Sequence, residues 1–178
     1  IKSTKKFQNQ SNIRASILGV GGQLPSDLEA LVISGILMFP QLIIKNFETL
    51  ESFDIQNLRL KDIRDNVLTF VKKEYSDLDI DLLKEFIEKN YQTFFQKDLK
   101  FANKFWQKKE GVDFDIISKI WVEILKDDQH IKNLNRDISV SKKEIKNEDD
   151  ERRFIGLIDN KDKAIKLITE KYGEKEIN

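Results

Sequence analysis

The stretch DFDIISKIWVEILKDDQHIKNLNRDISVSKKEIKNEDDE, residues 113–151, decides the fold class. It contains neither Gly nor Pro. Its apolar residues Ile116, Ile117, Ile120, Trp121, Ile124, Leu125, Ile131, Leu134, Ile138 and Ile145 return at three- and four-residue steps. That spacing lines one face of an α-helix and does not fit the two-residue alternation of a strand. A helix of about 33 residues at ~1.5 Å per residue reaches ~50 Å, longer than a small domain is wide. The apolar residues are dense up to Leu125 and sparse after it, about one per turn.

Glu148, Asp149, Asp150 and Glu151 then break the pattern, and negative charge is favoured at a helix N-terminus by the macrodipole. A last helix is expected from about Glu151 to Tyr172, with Gly173 as its stop. Two helices joined by a short acidic turn make an antiparallel helical hairpin. The last helix carries Phe154, Leu157, Ile158, Ile165, Ile168 and Tyr172, more apolar surface than Ile131, Leu134, Ile138 and Ile145 can cover. A small hairpin buries a limited share of its surface, so these six residues are the candidate partner-binding face. The competing reading is that they pack back on the rest of the chain.

Working back towards the N-terminus, the same helical spacing recurs. Leu28, Leu31, Val32 and Ile36 follow Pro25 and Ser26, with Glu29 three residues after Ser26 as in a capping box. Pro40 should end that helix and open another carrying Leu42, Ile43 and Phe47. Leu60, Ile63, Val67, Phe70 and Val71 form one face of a third segment, with Arg59, Lys61, Asp62 and Arg64 mostly directed away from it. Asp79 opens a fourth, with Ile80, Leu83, Phe86, Ile87 and Tyr91 inward and a break at Asn90–Thr93 left open. Gly111 closes the region.

The expected fold is therefore all-α: a helical bundle over residues 23–125, then a long helix and a C-terminal antiparallel helical hairpin over residues 126–178. Residues 1–22, with Lys2, Lys5, Lys6 and the Gly19-Val20-Gly21-Gly22 run, read as a flexible linker within a longer parent chain.

The composition agrees. Of the 178 residues, 35% are charged, and only seven are Gly and two Pro, which favours helices that display charge on a solvated face. Basic and acidic residues balance at 31 each, which argues against nucleic acid as the primary partner, because phosphate neutralisation drives that affinity. The absence of cysteine excludes disulfides and thiolate chemistry, and is compatible with a cytoplasmic protein. No apolar run approaches the ~20 residues of a membrane span.

Catalytic signals are weak. His130 is the only histidine and sits on a polar helix face, so a surface role is expected. The acidic pairs Asp113/Asp115, Asp127/Asp128 and Asp149/Asp150 read as helix starts or solvated faces rather than metal ligands. No catalytic residue, metal or cofactor is assigned. Phe94, Phe95, Phe101, Phe105 and Trp106 interleave with Lys97, Lys100, Lys104 and Lys108. A core face with lysines outside is favoured, and the lysines form a secondary patch for an anionic partner.

Taken in order, Glu29-Ala-Leu-Val-Ile-Ser-Gly-Ile-Leu-Met-Phe39-Pro40-Gln41-Leu42, then Phe53-Asp54-Ile55, then Asn57-Leu58-Arg59-Leu60-Lys61-Asp62-Ile63-Arg64-Asp65-Asn66-Val67-Leu68 resemble the C-terminal region of bacterial DnaG-type primases. That region opens with an acidic residue and a leucine-rich run ending His-Pro-Glu-Leu. Here Phe39 stands for the His and Gln41 for the Glu. The resemblance implies a non-catalytic module that docks on the N-terminal domain of the replicative hexameric helicase through its terminal hairpin. It would recruit primase to the replication fork and modulate helicase activity. In some relatives the bundle also binds the acidic tail of single-strand-binding protein. The primer-synthesising site of such a parent lies in other domains. A helical single-stranded nucleic-acid-binding module using residues 97–109 is the alternative, and a small metal-dependent hydrolase is a distant third.

Overall fold

A computed structural model describes residues 27–74 and 79–173. Among the described residues there are eight helices and no strand: α1 (Asp27–Met38), α2 (Gln41–Lys45), α3 (Phe47–Ser52), α4 (Leu58–Lys73), α5 (Ile80–Asp98), α6 (Lys100–Gln107), α7 (Phe114–Glu144) and α8 (Glu148–Tyr172). The N-terminal linker, its glycine run and the Ser26 cap lie outside the described residues. The chain forms two compact units that divide within α7, between Ile124 and Leu125.

The first unit is organised around α1. Every residue from Leu28 to Leu37 is buried, as expected for a helix that is apolar on all sides. It packs chiefly on α6 and also meets α2, α4 and α5. Two fully buried indoles fasten it. Trp106 Nε1 donates to the Leu31 carbonyl at 2.8 Å, and Trp121 Nε1 donates to the Val32 carbonyl at 3.0 Å. Both rings lie against Gly35. A β-carbon there would sit 2.8 Å from Trp121 Cδ1 and 2.9 Å from Trp106 Cζ2. Gly35 is therefore the residue that lets α6 and α7 bring their indoles onto α1.

Pro40 ends α1 as expected, but the segment after it is two short helices rather than one. Asn46 divides them. Its Nδ2 and its backbone N–H both donate to the Leu42 carbonyl, at 3.0 Å each, so a side chain competes for the helical acceptor. Leu42, Ile43 and Leu50 are fully buried.

Helix α4 starts where Asn57 caps the Leu60 N–H at 3.1 Å. Glu29, buried on α1, reaches across to the same end: its carboxylate accepts from the Gln56 N–H at 2.8 Å and the Asn57 N–H at 3.2 Å. A carboxylate at a helix N-terminus satisfies donors that the helix itself cannot. Arg64 corrects the expectation of an outward side chain. It is buried, donates to the Phe53 carbonyl and pairs with Asp65 at 2.7 Å. The extended segment between α3 and α4 is thus held from both sides. The planar guanidinium can bond a carbonyl and a carboxylate together while its stem packs in the core.

Asp79 opens α5 as its sequence suggests, accepting from the Asp81 N–H at 3.2 Å. The helix then continues through Asn90–Thr93, where no Gly or Pro stops it, and ends at the buried Leu99. Phe86 of α5 stacks on Phe70 of α4 with ring centroids 4.1 Å apart. Gly111, with φ +81°, makes the turn into α7, a conformation in which a side chain is strained.

Most of the run that decided the fold class is one helix, which ends at Glu144. Its 31 residues from Phe114 to Glu144 extend about 46 Å. The last helix begins at Glu148, three residues before the expected position, because Asn147 is its cap. The Asn147 side chain accepts from the Asp150 N–H at 3.0 Å, and Asp150 accepts from the Lys146 N–H at 3.0 Å. All four acidic residues consequently fall in the first turn.

Candidate functional site

In the second unit, the end of α8 is fixed to α7 at Asp127. Tyr172 Oη donates to Asp127 Oδ2 at 2.6 Å, and Lys171 Nζ lies 3.0 Å from the same oxygen. Burial, and then the hydrogen bond to the Asp127 carboxylate, push the Tyr172 phenol well above its ordinary range. One residue along, Asp128 is buried and pairs with Lys132 at 2.7 Å. These two carboxylates are therefore structural anchors rather than members of a solvated face.

The six apolar residues expected to meet a partner separate under this geometry. Tyr172 is buried. Phe154, Leu157, Ile165 and Ile168 are half-buried, and Ile158 is exposed. Residues 154, 157, 165, 168 and 172 share one helical stripe, and its last member, Tyr172, bonds Asp127 of α7. The strongly exposed aliphatic side chains of α8 lie off the stripe: Ile155 at 50% and Leu167 at 66%. Val140 and Ile145 beside the α7–α8 connection are exposed as well, at 49% and 39%. Sequence reading missed Val140, Ile155 and Leu167. The available signal was that they break the period, since an apolar residue outside the packed stripe has no neighbouring helix to cover it.

Val140, Ile145, Ile155 and Ile158 all fall within about three helical turns of the α7–α8 connection. They give that end of the unit several aliphatic side chains open to water. The adjoining first turn of α8 carries Glu148, Asp149, Asp150 and Glu151, with Arg152 within 4.0 Å of Glu148 and 3.8 Å of Asp149.

The lysine patch belongs to the first unit. Lys97, Lys100, Lys104 and Lys108 are all exposed. Of the aromatic side chains among them, Trp106 is fully buried and Phe94, Phe95 and Phe105 are half-buried. The Arg59 guanidinium covers Phe94 at 4.0 Å from the ring centroid, and Arg59 also reaches Asp98 at 3.4 Å. Phe105 meets Trp106 edge-on at 5.0 Å, with the Lys109 ammonium 5.3 Å from its ring. Phe101 is the exposed aromatic of the segment.

The acidic pair that opens α7 has structural partners. Asp113 accepts from the Asp115 N–H at 2.9 Å at the start of α7, and Asp115 pairs with Lys45 at 2.8 Å, which holds its carboxyl below the usual range. His130 is exposed on α7. Among the described residues, no three His, Cys, Asp or Glu side chains are grouped to hold a metal ion, and no helix is long and apolar enough to cross a membrane. Comparison of the chain with protein-family models, with curated proteins and with solved structures gives no match.

Proposed function

We propose that this chain is a non-catalytic docking module of a bacterial DnaG-type primase. Its second unit is read as an antiparallel helical hairpin that grips the N-terminal domain of the replicative helicase. The observation that carries the reading is the group of open aliphatic side chains, Val140, Ile145, Ile155 and Ile158, at the connected end of α7 and α8. Uncovered apolar side chains gathered at one end of a small helical unit are a common mark of a protein contact. The resemblance across Glu29–Leu68 supplies the identity of the partner. Its first and last blocks also meet in space, since the Glu29 carboxylate bonds the backbone that opens α4. On this reading the module acts in the cytoplasm, recruits primase to the fork and modulates the helicase.

The contact face is redrawn from the exposures. Ile158 stays in it, Ile155, Val140 and Ile145 join it, and Tyr172 serves the internal anchor instead. The test is gel filtration and calorimetry of the chain with the N-terminal domain of a replicative helicase. Ile155→Asp with Ile158→Asp should weaken the complex by about 2 kcal/mol or more, because it places charge in a desolvated contact. Both positions are open to solvent, so the free protein should keep its helical content. Absence of any complex at tens of micromolar, or unchanged affinity in the double variant, would overturn the reading.

A further inference from the structure

Helix α6 places Lys100 and Lys104 one turn apart on a single ridge, and Lys97 precedes them across the bend at Leu99. Successive ridge positions on a helix lie about 6 Å apart along the axis. Among the described residues, Lys97, Lys100 and Lys104 form no ion pair, whereas Lys45, Arg59, Arg64 and Lys72 elsewhere in the same unit each meet a carboxylate. Phe101 lies beside the ridge and exposes part of its ring.

We infer that this ridge binds a short run of single-stranded nucleic acid, with phosphates along Lys97, Lys100 and Lys104 and one base on Phe101. The inference is independent of the docking reading, which concerns the other unit. Two cations one helical turn apart, with a third three residues before them in sequence, complement a regularly spaced polyanion. A partly exposed ring beside them accepts an unstacked base, which a duplex does not offer. An acidic peptide with an apolar anchor fits less well. The neighbouring apolar groups are already engaged: Leu99, Ala102 and Trp106 are buried, Phe105 packs on Trp106, and Arg59 covers Phe94.

The experiment is fluorescence anisotropy of the full chain with a labelled oligothymidylate, titrated at several salt concentrations. Binding is expected in the micromolar range at low salt, with a log–log salt slope of about −2 for three phosphate contacts. Lys97→Glu, Lys100→Glu and Lys104→Glu together should weaken binding at least about tenfold and flatten the slope. Phe101→Ala should weaken it by about fivefold and leave the slope in place. The inference is overturned by no anisotropy change up to ~100 μM, the weak limit of non-specific binding. It also falls if the triple variant binds like the parent, if Phe101→Ala has no effect, or if a duplex of equal length binds as tightly. Displacement by polyglutamate at equal charge concentration would assign the ridge to acidic protein segments instead.

Discussion

Replacing Gly35 by Ala tests how the first unit is held together. The added methyl would meet Trp121 Cδ1 at 2.8 Å and Trp106 Cζ2 and Cε2 at 2.9 and 3.0 Å. Carbon atoms in contact prefer about 3.5–4.0 Å, so all three approaches are too close by at least half an ångström. Neither ring can yield freely, since both are fully buried and both indole N–H groups are bonded to α1. Overpacking of this kind costs about 1–3 kcal/mol. Displacing either indole from its carbonyl adds roughly 1 kcal/mol. Against this, Ala is favoured over Gly inside a helix by about 0.8–1.0 kcal/mol. The balance is a destabilisation of about 2 kcal/mol, or a fall in Tm of roughly 4–8 °C for a chain of this size. The assay is urea unfolding followed by tryptophan fluorescence. Trp106 and Trp121 are the only two tryptophans, and both report on this unit. A Gly35→Ala protein as stable as the parent, with unchanged emission, would refute the idea that the indoles require a glycine at this position.

Three further outcomes follow from the same geometry. Glu29→Ala removes a buried carboxylate that bonds the Gln56 and Asn57 N–H groups, and should lower stability by about 2–3 kcal/mol in the same urea assay, the range for hydrogen bonds to a charged group. Tyr172→Phe deletes the bond to the Asp127 carboxylate and should cost about 1.5–3 kcal/mol, the range for a hydrogen bond to a charged group. Amide exchange is expected to accelerate in the last turns of α8. Asp27 is raised from 3.8 to about 6 by burial, so the folded state holds its proton more tightly than the unfolded state. Its contribution is complete below pH 3.8 and is lost as the pH climbs through about 6. Stability relative to Asp27→Asn should therefore rise on acidification across that window, and parallel pH profiles of the two proteins would count against the shift.

Much of the fold was legible because helical period is a local property. The periodic run that begins at residue 113 and the helix start at Asp79 depend on neighbours in sequence. Deviations arose where a side chain from afar, or a polar group within a segment, took over the backbone. Asn46 split an expected helix by bonding the Leu42 carbonyl. Arg64, polar and seemingly outward, was drawn inward by the Phe53 carbonyl. Gly35 carries no signal of its own in the local pattern, whereas its lack of a side chain is what admits two indoles contributed from 71 and 86 residues further along the chain.

The candidate contact face was only half legible, and the reason is physical. A periodic apolar stripe reports which side of a helix wants a neighbour, without saying whether that neighbour belongs to the same chain. In α8 the last member of the stripe, Tyr172, bonds Asp127 of α7, and the stripe residues are buried or half-buried. Surface left for a partner then falls to apolar residues that violate the period, Ile155 and Leu167, and to Ile158 at the shoulder of the stripe. An exposed aliphatic side chain outside the packing stripe contributes nothing to the stability of its own unit and favours association with other chains. If Ile155 serves no contact, then Ile155→Lys should leave both folding and any complex with the proposed helicase partner unchanged while raising solubility. If it is part of the face, the same change should weaken the complex without altering the unfolding curve, and that contrast separates a docking residue from an incidental one.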